Sequence, residues 1–362
     1  MKKILIFLGS TDIGGTEKQL LNILNIIQSK FHITLVIFHK NGLLERSFKR
    51  LKVNLIDITK IGEGENKALK IINKFFGFYK ILKNEKPDIV HFFLPQSYLI
   101  GGWLSYFFNC KFIMSRRSLN IYQKKYFFIR YFEVLLHKKM DLIIGNSKKV
   151  LENLSKDEFV PKSKLKLIYN GVENNYRKKT NVRNINLVCI ANFLPYKNHS
   201  MLIKACHLIK SKKKWNLKLI GSGDKQYILE IEKLIKELGL NRNIKIIQNL
   251  CSVKKYLINS HIGVLTSNEE GFSNSILEYM SNGLCVVATK VGGNDEAIKD
   301  CESGYLVEKG DYKTFSERLN LVINNNRIRD RISKSGLKRS IKEFDMKKSA
   351  SELSSIYNNI LK

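Results

Sequence analysis

The sequence predicts an α/β protein built from two domains, each with a doubly wound parallel sheet, and three observations support this prediction. Short apolar runs typical of buried strands alternate with helix-length segments along the whole chain. The alternation is interrupted at the polar stretch 176–184 and then resumes. At 362 residues the chain is also too long for one ordinary core. Because parallel strands need crossover connections, usually helices, this succession indicates parallel sheets.

The strands are expected in the following order. The first half contains the apolar runs ILIFL (4–8), ITLVIF (33–38), VNLIDI (53–58), IVHFF (89–93), KFIMS (111–115) and LIIGNS (142–147). The second half contains INLVCIA (185–191), LKLIG (217–221), IKIIQ (244–248), IGVLT (262–266), LCVVAT (284–289) and GYLV (304–307). We therefore expect Rossmann-like domains over 1–175 and 185–345, a linker at 176–184, and a cleft between the domains that binds ligands at the carboxyl ends of strands. A last helix within 346–362 could pack on either domain, including back on the first.

Composition limits the function classes. The net charge of +31 suggests an anionic partner, although a coding bias toward Lys, Asn and Ile would also produce part of it. The six cysteines form no CxxC pair, so neither a zinc site nor a disulfide framework is expected. The first residues resemble a buried strand more than a signal peptide, and the apolar stretch 98–108 is shorter than the ~20 residues of a spanning helix. A cytoplasmic location is therefore expected.

Two glycine-containing loops follow predicted strands. Gly14 and Gly15 precede an amphipathic helix, and Gly221 ends a strand in the second half. Such glycines let a ligand approach the backbone, and a helix N-terminus favours anions, although a plain tight turn is the alternative. The spacing is not GxGxxG, which disfavours an NAD-dependent dehydrogenase. Lys197 lies in a loop after another strand, where it could pair with a diphosphate.

The stretch EEGFSNSILEYMSNG places Glu270 and Glu278 eight positions apart around a predicted helix start. Ser273 or Asn274 is the expected N-cap, and Gly283 is the expected stop. A diphosphate would be stabilised over this helix N-terminus, whereas the glutamates would accept hydrogen bonds from sugar hydroxyls. The alternative is that Glu278 merely forms the solvated side of an amphipathic helix.

The block EGFSNSILE followed by MSNGLCVVATKVGG closely resembles the E-x7-E signature of glycosyltransferase family 4 (GT4), retaining enzymes with the GT-B fold. The resemblance covers nearly the whole chain, in order, through GGTE, PDIVHFF, DLIIGNS, KLIYNGVE, PYKNH, LIGSGD and VGGNDE. It implies two Rossmann-like domains, an acceptor-binding first domain and a nucleotide-sugar-binding second domain, with no required metal or other cofactor. A UDP-sugar donor is expected before a GDP-sugar.

The resemblance also implies roles for individual residues. Glu270 would contact the sugar hydroxyls, and Glu278 would bind the donor ribose. Lys197 would assist the diphosphate, so Lys197→Ala is expected to cut turnover while leaving stability nearly unchanged. The remaining donor-side candidates are Gly221, Gly271, Phe272, Ser273 and Asn274, and the acceptor or cleft candidates are Gly14, Gly15 and His91.

Two positions depart from the family pattern. Asn192 stands where the family often has an arginine, so the diphosphate loses a bidentate cation. Arg116 stands at or beside the position of a common histidine, and an arginine there could hold an anionic phosphate or acceptor. We therefore include both residues in the site, Arg116 on the catalytic side. His91 lies inside a buried strand, where a core histidine is the alternative.

The expected reaction is a front-face transfer in which the leaving diphosphate helps deprotonate the acceptor hydroxyl. The stretch 103–140 interleaves aromatic and basic residues, with a helix expected from about Tyr122 to Lys139. Such a surface would dock on an anionic membrane, which favours a lipid-linked acceptor of bacterial surface polysaccharide assembly over a free saccharide. A buried helix with a basic rim is the alternative. A nucleotide-sugar epimerase and a nucleic-acid-binding protein are the competing functions, the latter without a recognisable binding motif.

Overall fold

The computed structural model describes residues 1–12, 14–38, 42, 44–58, 60–61, 64, 66–119, 123, 127–177, 184–250 and 252–362. These residues form two compact units. Unit 1 comprises Met1–Gly171 and Met346–Lys362, and unit 2 comprises Val172–Asp345. Of the expected linker at 176–184, residues 178–183 lie outside the described residues.

Unit 1 contains a seven-stranded parallel sheet with the strand order β3-β2-β1-β4-β5-β6-β7. Its strands are β1 Lys3–Leu8, β2 His32–Ile37, β3 Asn54–Asp57, β4 Ile89–Phe93, β5 Lys111–Arg116, β6 Leu142–Gly145 and β7 Leu165–Leu167. The order changes direction beside β1, which makes the sheet doubly wound. Polar groups that follow the carboxyl ends of neighbouring strands are thereby gathered at one edge.

Helices cover both faces of this sheet. They are α1 Gly15–Ile27, α2 Glu45–Lys49, α3 Lys67–Glu85, α4 Pro95–Gly101 with the 3₁₀ turn Gly102–Tyr106, α5 Phe127–Lys139, α6 Lys148–Lys156 and, from the chain's end, α14 Met346–Asn359. One hydrophobic core joins α1 and α14 to the sheet, and a second joins α3, α4 and α6 to the opposite face. The last helix therefore packs in unit 1.

Unit 2 repeats the design with a six-stranded parallel sheet of order β10-β9-β8-β11-β12-β13. Its strands are β8 Asn184–Ile190, β9 Lys214–Ile220, β10 Ile244–Ile247, β11 Ile262–Leu265, β12 Cys285–Thr289 and β13 Tyr305–Val307. Its helices are α7 His199–His207, α8 Lys225–Glu237, α9 Lys254–Ile258, α10 Asn274–Ser281, α11 Asn294–Ala297, α12 Tyr312–Asn324 and α13 Asn326–Glu343.

The predicted fold class is confirmed, since every apolar run named above forms a strand of a parallel sheet. The sequence reading omitted β7, whose three residues include a lysine and make no continuous apolar run. The helix expected from Tyr122 begins, among the described residues, at Phe127, and 122 and 124–126 lie outside them. Within the described part of the chain, no helix is both long and apolar enough to span a membrane.

Candidate functional site

The central feature of unit 2 is an ion pair between two loops that follow neighbouring strands. Lys197 closes the 3₁₀ turn after β8, and Glu270 lies between β11 and α10. The Lys197 Nζ is 2.7 Å from Glu270 Oε1, and only 16% and 11% of the two side chains are exposed. Ser267 Oγ donates a second hydrogen bond to the same carboxylate oxygen, at 2.7 Å. Two of the predicted catalytic side chains therefore meet at the carboxyl edge of the sheet.

The protonation of Lys197 follows from this pairing. Burial lowers the pKa of the ammonium, but the negative charge of Glu270 outweighs this effect, so the pKa of Lys197 is raised overall. The Lys197 Nζ also lies 5.0 Å from the ring centroid of Tyr196. Lys197 is consequently cationic at neutral pH, as the binding of a phosphate requires.

Glycines hold the loops of this edge close together. A Cβ on Gly221 would lie 2.1 Å from the carbonyl oxygen of Ala191, next to the exposed Asn192. A Cβ on Gly292, whose φ is +54°, would lie 1.7 Å from the carbonyl oxygen of Glu270. Both distances are too short for any side chain, so these backbone contacts depend on glycine. They hold Asn192 beside Gly221 and the Glu270 backbone against Gly292.

Helix α10 begins at this same edge. Ser273 is its N-cap, and its hydroxyl accepts a hydrogen bond from the Ile276 amide. Gly271 and Phe272, which lead into the helix, are buried, and Asn274 is half-buried. The helix stops before Gly283, which has a φ of +68°. The cap and the stop both match the sequence prediction.

The buried face of α10 is anchored to Ile190, the last residue of β8. Tyr279 accepts a hydrogen bond from the Ile190 amide at 2.6 Å, and Ser275 donates to the Ile190 carbonyl at 2.6 Å. Tyr279 is fully buried, whereas Glu278 is half-buried. The helix is thus rigidly placed by one face, and Glu278 lies on a side that solvent partly reaches.

In unit 1, the structure places His91 in the interior. Its side chain is fully buried, with Nδ1 2.7 Å from the Tyr357 hydroxyl and Nε2 2.9 Å from the Ser115 hydroxyl. Burial, reinforced by the charge of Arg117, lowers its pKa to about 3. His91 is therefore a neutral core residue that joins β4 to α14 and β5. The core-histidine alternative is correct, and the assignment of His91 to the cleft is wrong.

Arg116 is likewise interior, at 2% exposure. Its guanidinium lies 2.8 Å from Glu133 Oε2 and 2.9 Å from Glu158 Oε1, and it also donates to the Tyr98 hydroxyl. Both carboxylates are buried. This network ties the end of β5 to α5 and to the segment after α6. The described geometry therefore gives Arg116 an architectural position rather than contact with a ligand.

Three potential metal-ligand side chains, Glu133, His137 and Glu158, also meet in this network. Burial and the adjacent Arg116 lower the pKa of His137 to about 3, which keeps it neutral. The guanidinium already supplies positive charge to both carboxylates. The electrostatics therefore favour a buried ion-pair core over a cation site.

The Gly14–Gly15 loop is occupied by a carboxylate of its own helix. A Cβ on Gly14 would lie 2.0 Å from Glu17 Oε2, and Ser10 Oγ donates to Glu17 Oε1 at 3.0 Å. Glu17 is buried, and burial raises its pKa. Its carboxyl group takes the position at the α1 N-terminus that a phosphate would need. The loop is therefore better suited to a hydroxyl-bearing ligand than to a phosphate.

At the carboxyl edge of the unit 1 sheet, the sequence prediction missed Arg117. It is half-buried, its NH2 group donates to Asn170 Oδ1, and Asn146 Nδ2 donates to its carbonyl. Burial lowers its pKa to about 10, against the opposing effect of Glu17, so it stays charged. Because β5 ends at Arg116, Arg117 is the first residue beyond the strand, which is where ligand-facing residues of parallel sheets lie.

Comparison with known proteins identifies the family of this chain. The model described as glycosyl transferases group 1 matches residues 172–339, and the model described as glycosyltransferase family 4 matches residues 13–176. Together they span both units. The chain belongs to the family 4 glycosyltransferases. Sugar transfer is therefore the activity of this protein.

Two bacterial relatives illustrate the family. The N-acetylgalactosamine-N,N'-diacetylbacillosaminyl-diphospho-undecaprenol 4-alpha-N-acetylgalactosaminyltransferase of Campylobacter jejuni is 26% identical over 365 residues, which cover 97% of this chain and 98% of that protein. The capsular polysaccharide biosynthesis glycosyltransferase CapM of Staphylococcus aureus is 28% identical over 309 residues, 78% of this chain and 79% of that protein.

Solved structures establish the fold of this glycosyltransferase as GT-B. Anabaena HepE, in complex with UDP and glucose, has a TM-score of 0.85 at 19% identity, covering 99% of this chain and 100% of that one. The sucrose-phosphate synthase of Thermosynechococcus elongatus has a TM-score of 0.85 at 16% identity, covering 99% of each chain.

Proposed function

We propose that this glycosyltransferase moves a sugar from a nucleoside diphosphate sugar, a UDP-sugar before a GDP-sugar, to a hydroxyl of a lipid-linked saccharide, with retention of anomeric configuration and without a metal. The observation that carries the proposal is the Lys197–Glu270 pair, 2.7 Å apart, just before the N-terminus of α10. It combines a cation, a carboxylate and a helix N-terminus at the edge where parallel sheets bind ligands.

In this proposal, unit 2 binds the donor. The first turn of a helix presents amide groups with no acceptor inside the helix, and its dipole adds positive potential. The diphosphate lies against the segment Gly271–Asn274 and interacts with the Lys197 ammonium, which also remains paired with Glu270. Glu278 accepts hydrogen bonds from the ribose, and Glu270 accepts them from the sugar. The nucleoside lies beside Asn192 and Gly221, two residues that a close backbone contact holds together.

The reaction proceeds on one face of the sugar. The bond between the anomeric carbon and the diphosphate oxygen breaks, and the acceptor oxygen bonds to the same face. The acceptor proton passes to the departing phosphate oxygen. Lys197 and the helix N-terminus stabilise the negative charge that develops on the leaving group, so the phosphate needs no bound cation. The ion pair keeps the ammonium charged and in place before the donor binds.

Unit 1 binds the acceptor at its carboxyl edge. Arg117 offers a charged donor there, and the buried Glu17 carboxyl group offers an acceptor. This pair of groups suits a saccharide joined to an anionic lipid carrier. The relatives from C. jejuni and S. aureus, whose names refer to an undecaprenol-linked acceptor and to capsular polysaccharide, support this choice. A protein with such an acceptor would work as a peripheral protein on the inner face of the cytoplasmic membrane.

The donor class is tested by thermal shift with UDP, GDP, ADP, CMP and NAD. A ligand at 100 times its dissociation constant stabilises the native state by about 2.7 kcal/mol, which a melting curve resolves. We expect a shift with UDP that is lost in Glu278→Ala and kept in Glu269→Ala, a neighbouring carboxylate given no role. A shift with NAD alone, or none with any nucleoside diphosphate, would refute the donor assignment.

Retention and metal independence need a turnover assay. With the donor identified, proton NMR of the product gives its anomeric configuration, and an inverted product would refute the front-face reaction. Turnover in the presence of EDTA should equal turnover without it. Conversion of the donor sugar to its epimer without transfer to an acceptor would support the competing epimerase function.

A further inference from the structure

Helix α3 carries two apolar stripes, of which the core uses one. Phe78 and Leu82 are buried against the sheet. On another side of the helix, residues spaced by three and four positions are exposed: Leu69, Ile72, Phe76 and Tyr79. Residues at this spacing share one helix face. An ordinary surface helix is polar on the side away from the core, so this second stripe needs a different explanation.

Helix α5 shows the same arrangement. On one side of the helix, its residues Glu133, Leu136 and His137 are buried. Phe128 and Tyr131 are 77% and 58% exposed, and Phe132, next to Tyr131 on the same side, is also exposed. Two helices on one face of the unit 1 sheet thus direct aromatic side chains away from the core.

The 3₁₀ turn after α4 connects these two stripes. The ring centroids of Tyr79 in α3 and Phe108 are 5.3 Å apart, and those of Trp103 and Phe132 in α5 are 5.9 Å apart. Between these contacts, Phe107 is 72% exposed. The exposed aromatic residues therefore form one continuous patch on unit 1. We call it the aromatic surface: Leu69, Ile72, Phe76, Tyr79, Tyr106, Phe107, Phe128, Tyr131 and Phe132.

The exposed charges carried by the helices and the turn of this surface have one sign. Lys80 and Lys83 are exposed on α3, and Lys138 and Lys139 are exposed on α5, with the Lys139 Nζ 4.4 Å from the Tyr106 ring centroid. Residues 67–85, 95–119 and 127–139 contain two carboxylates, Glu85 and Glu133. Glu133 is buried, and Glu85 is half-buried and accepts a hydrogen bond from Thr34.

We propose that the aromatic surface docks on an anionic lipid bilayer, with its aromatic side chains at the headgroup boundary and its lysines on lipid phosphates. Aromatic rings with polar edges favour that boundary, and lysines extend from an apolar surface toward anionic groups. The absence of exposed acidic residues on these segments matches a uniformly negative partner. The sequence pattern had suggested only 103–140; the structure adds α3 and makes the surface continuous.

This inference rests on the proposed function only in requiring a membrane-linked acceptor. It assigns the attachment to named residues of unit 1, whereas donor binding belongs to unit 2. The two can therefore fail separately, provided that both are measured on the same variants.

The test is co-sedimentation of the full chain with phosphatidylglycerol-containing vesicles and with pure phosphatidylcholine vesicles. We compare wild type with Phe107→Ser, Phe76→Ser and the double variant Lys80→Glu/Lys83→Glu. The control is Leu229→Ser, which removes an equally exposed apolar side chain from α8 of unit 2. Each variant is also checked for its thermal shift with UDP, which verifies folding and donor binding.

Wild type is expected to sediment with the anionic vesicles and to be released by salt. Each Phe→Ser change should weaken the partition coefficient roughly tenfold or more, and each lysine lost roughly fivefold. Leu229→Ser should bind as wild type does. Wild type that stays in solution with both vesicles, or surface variants that bind as well as Leu229→Ser, would overturn the proposal. So would a wild-type dimer that the surface variants convert to monomer without vesicle binding, since a second copy would then cover the surface.

Discussion

Removing the Lys197 ammonium should reveal how strongly the ion pair stabilises unit 2. The informative variant is Lys197→Met, which keeps the apolar stem and removes the charge. Glu270 then loses its cation while 11% exposed, with the Ser267 hydroxyl as its remaining donor among the bonds described for its side chain. Breaking a fully buried pair costs about 3–5 kcal/mol, and the slight exposure of both groups reduces this to about 1–3 kcal/mol. This expectation differs from the sequence-based one of nearly unchanged stability.

A double-mutant cycle measured by urea unfolding separates this effect from lost packing. Glu270→Gln removes the carboxylate charge, so Lys197→Met should cost less in that background, with a coupling of about 1–2 kcal/mol. The control is Lys290→Met, because Lys290 and Glu308 are 3.7 Å apart but more than half exposed. That change should alter stability by about 0.5 kcal/mol or less.

Two results would contradict this reasoning. The first is a stability of Lys197→Met within about 0.5 kcal/mol of wild type, because a stranded carboxylate must cost more. The second is additivity of the two substitutions, which would mean that the pair contributes no interaction energy. Turnover in Lys197→Met should still fall sharply in either case, since it depends on the leaving group rather than on folding.

Three further predictions concern glycine, the interior arginine and histidine. A non-glycine residue with a left-handed backbone loses ~1–3 kcal/mol of stability from strain alone. Gly310→Ala should lose only this amount, because Gly310 has a φ of +86° and open space around it. Gly292→Ala should lose more, because its Cβ would also meet the Glu270 carbonyl oxygen. Arg116→Met should cost about 3–5 kcal/mol in urea unfolding by leaving its two carboxylates buried without their cation, and Arg116→Lys should recover only part, because one ammonium cannot replace a planar fork. Burial, partly offset by the Ala191 carbonyl, lowers the pKa of His199 from 6.5 to about 4. Between pH 6.5 and pH 4, His199 is therefore protonated in the unfolded chain and neutral in the folded one. This difference lowers the free energy of unfolding by about 3 kcal/mol as the pH falls from 6.5 to 4. His199→Phe should flatten that part of the stability profile.

Each of these has an outcome that would refute it. Equal losses of stability for Gly292→Ala and Gly310→Ala would show that the Glu270 backbone moves away from residue 292 without an energetic cost. Full recovery by Arg116→Lys would show that the bidentate geometry is unimportant. An unchanged pH slope in His199→Phe would mean that this ring is not the group that must stay neutral.

The sequence alone was sufficient for every strand except β7 and for the ends of α10. Strands buried on both faces are almost continuously apolar, as in β1, β11 and β12, and such runs are visible without coordinates. The cap and stop of α10 are equally local, because a cap hydroxyl needs an amide three residues on and a left-handed end needs glycine. These features are encoded within a few residues of one another.

Only the tertiary structure decided which polar residues face one another. Arg116 meets Glu133 and Glu158 across three separate segments, so no spacing rule could show that it is interior and that Arg117 lies half-exposed beside it. The sequence allowed the last helix to pack on either domain, and the structure places it in the core of unit 1. The second apolar stripe of α3 could equally have been buried. A periodic pattern shows that a face is apolar, but what covers it depends on the packing of residues that are distant in the chain.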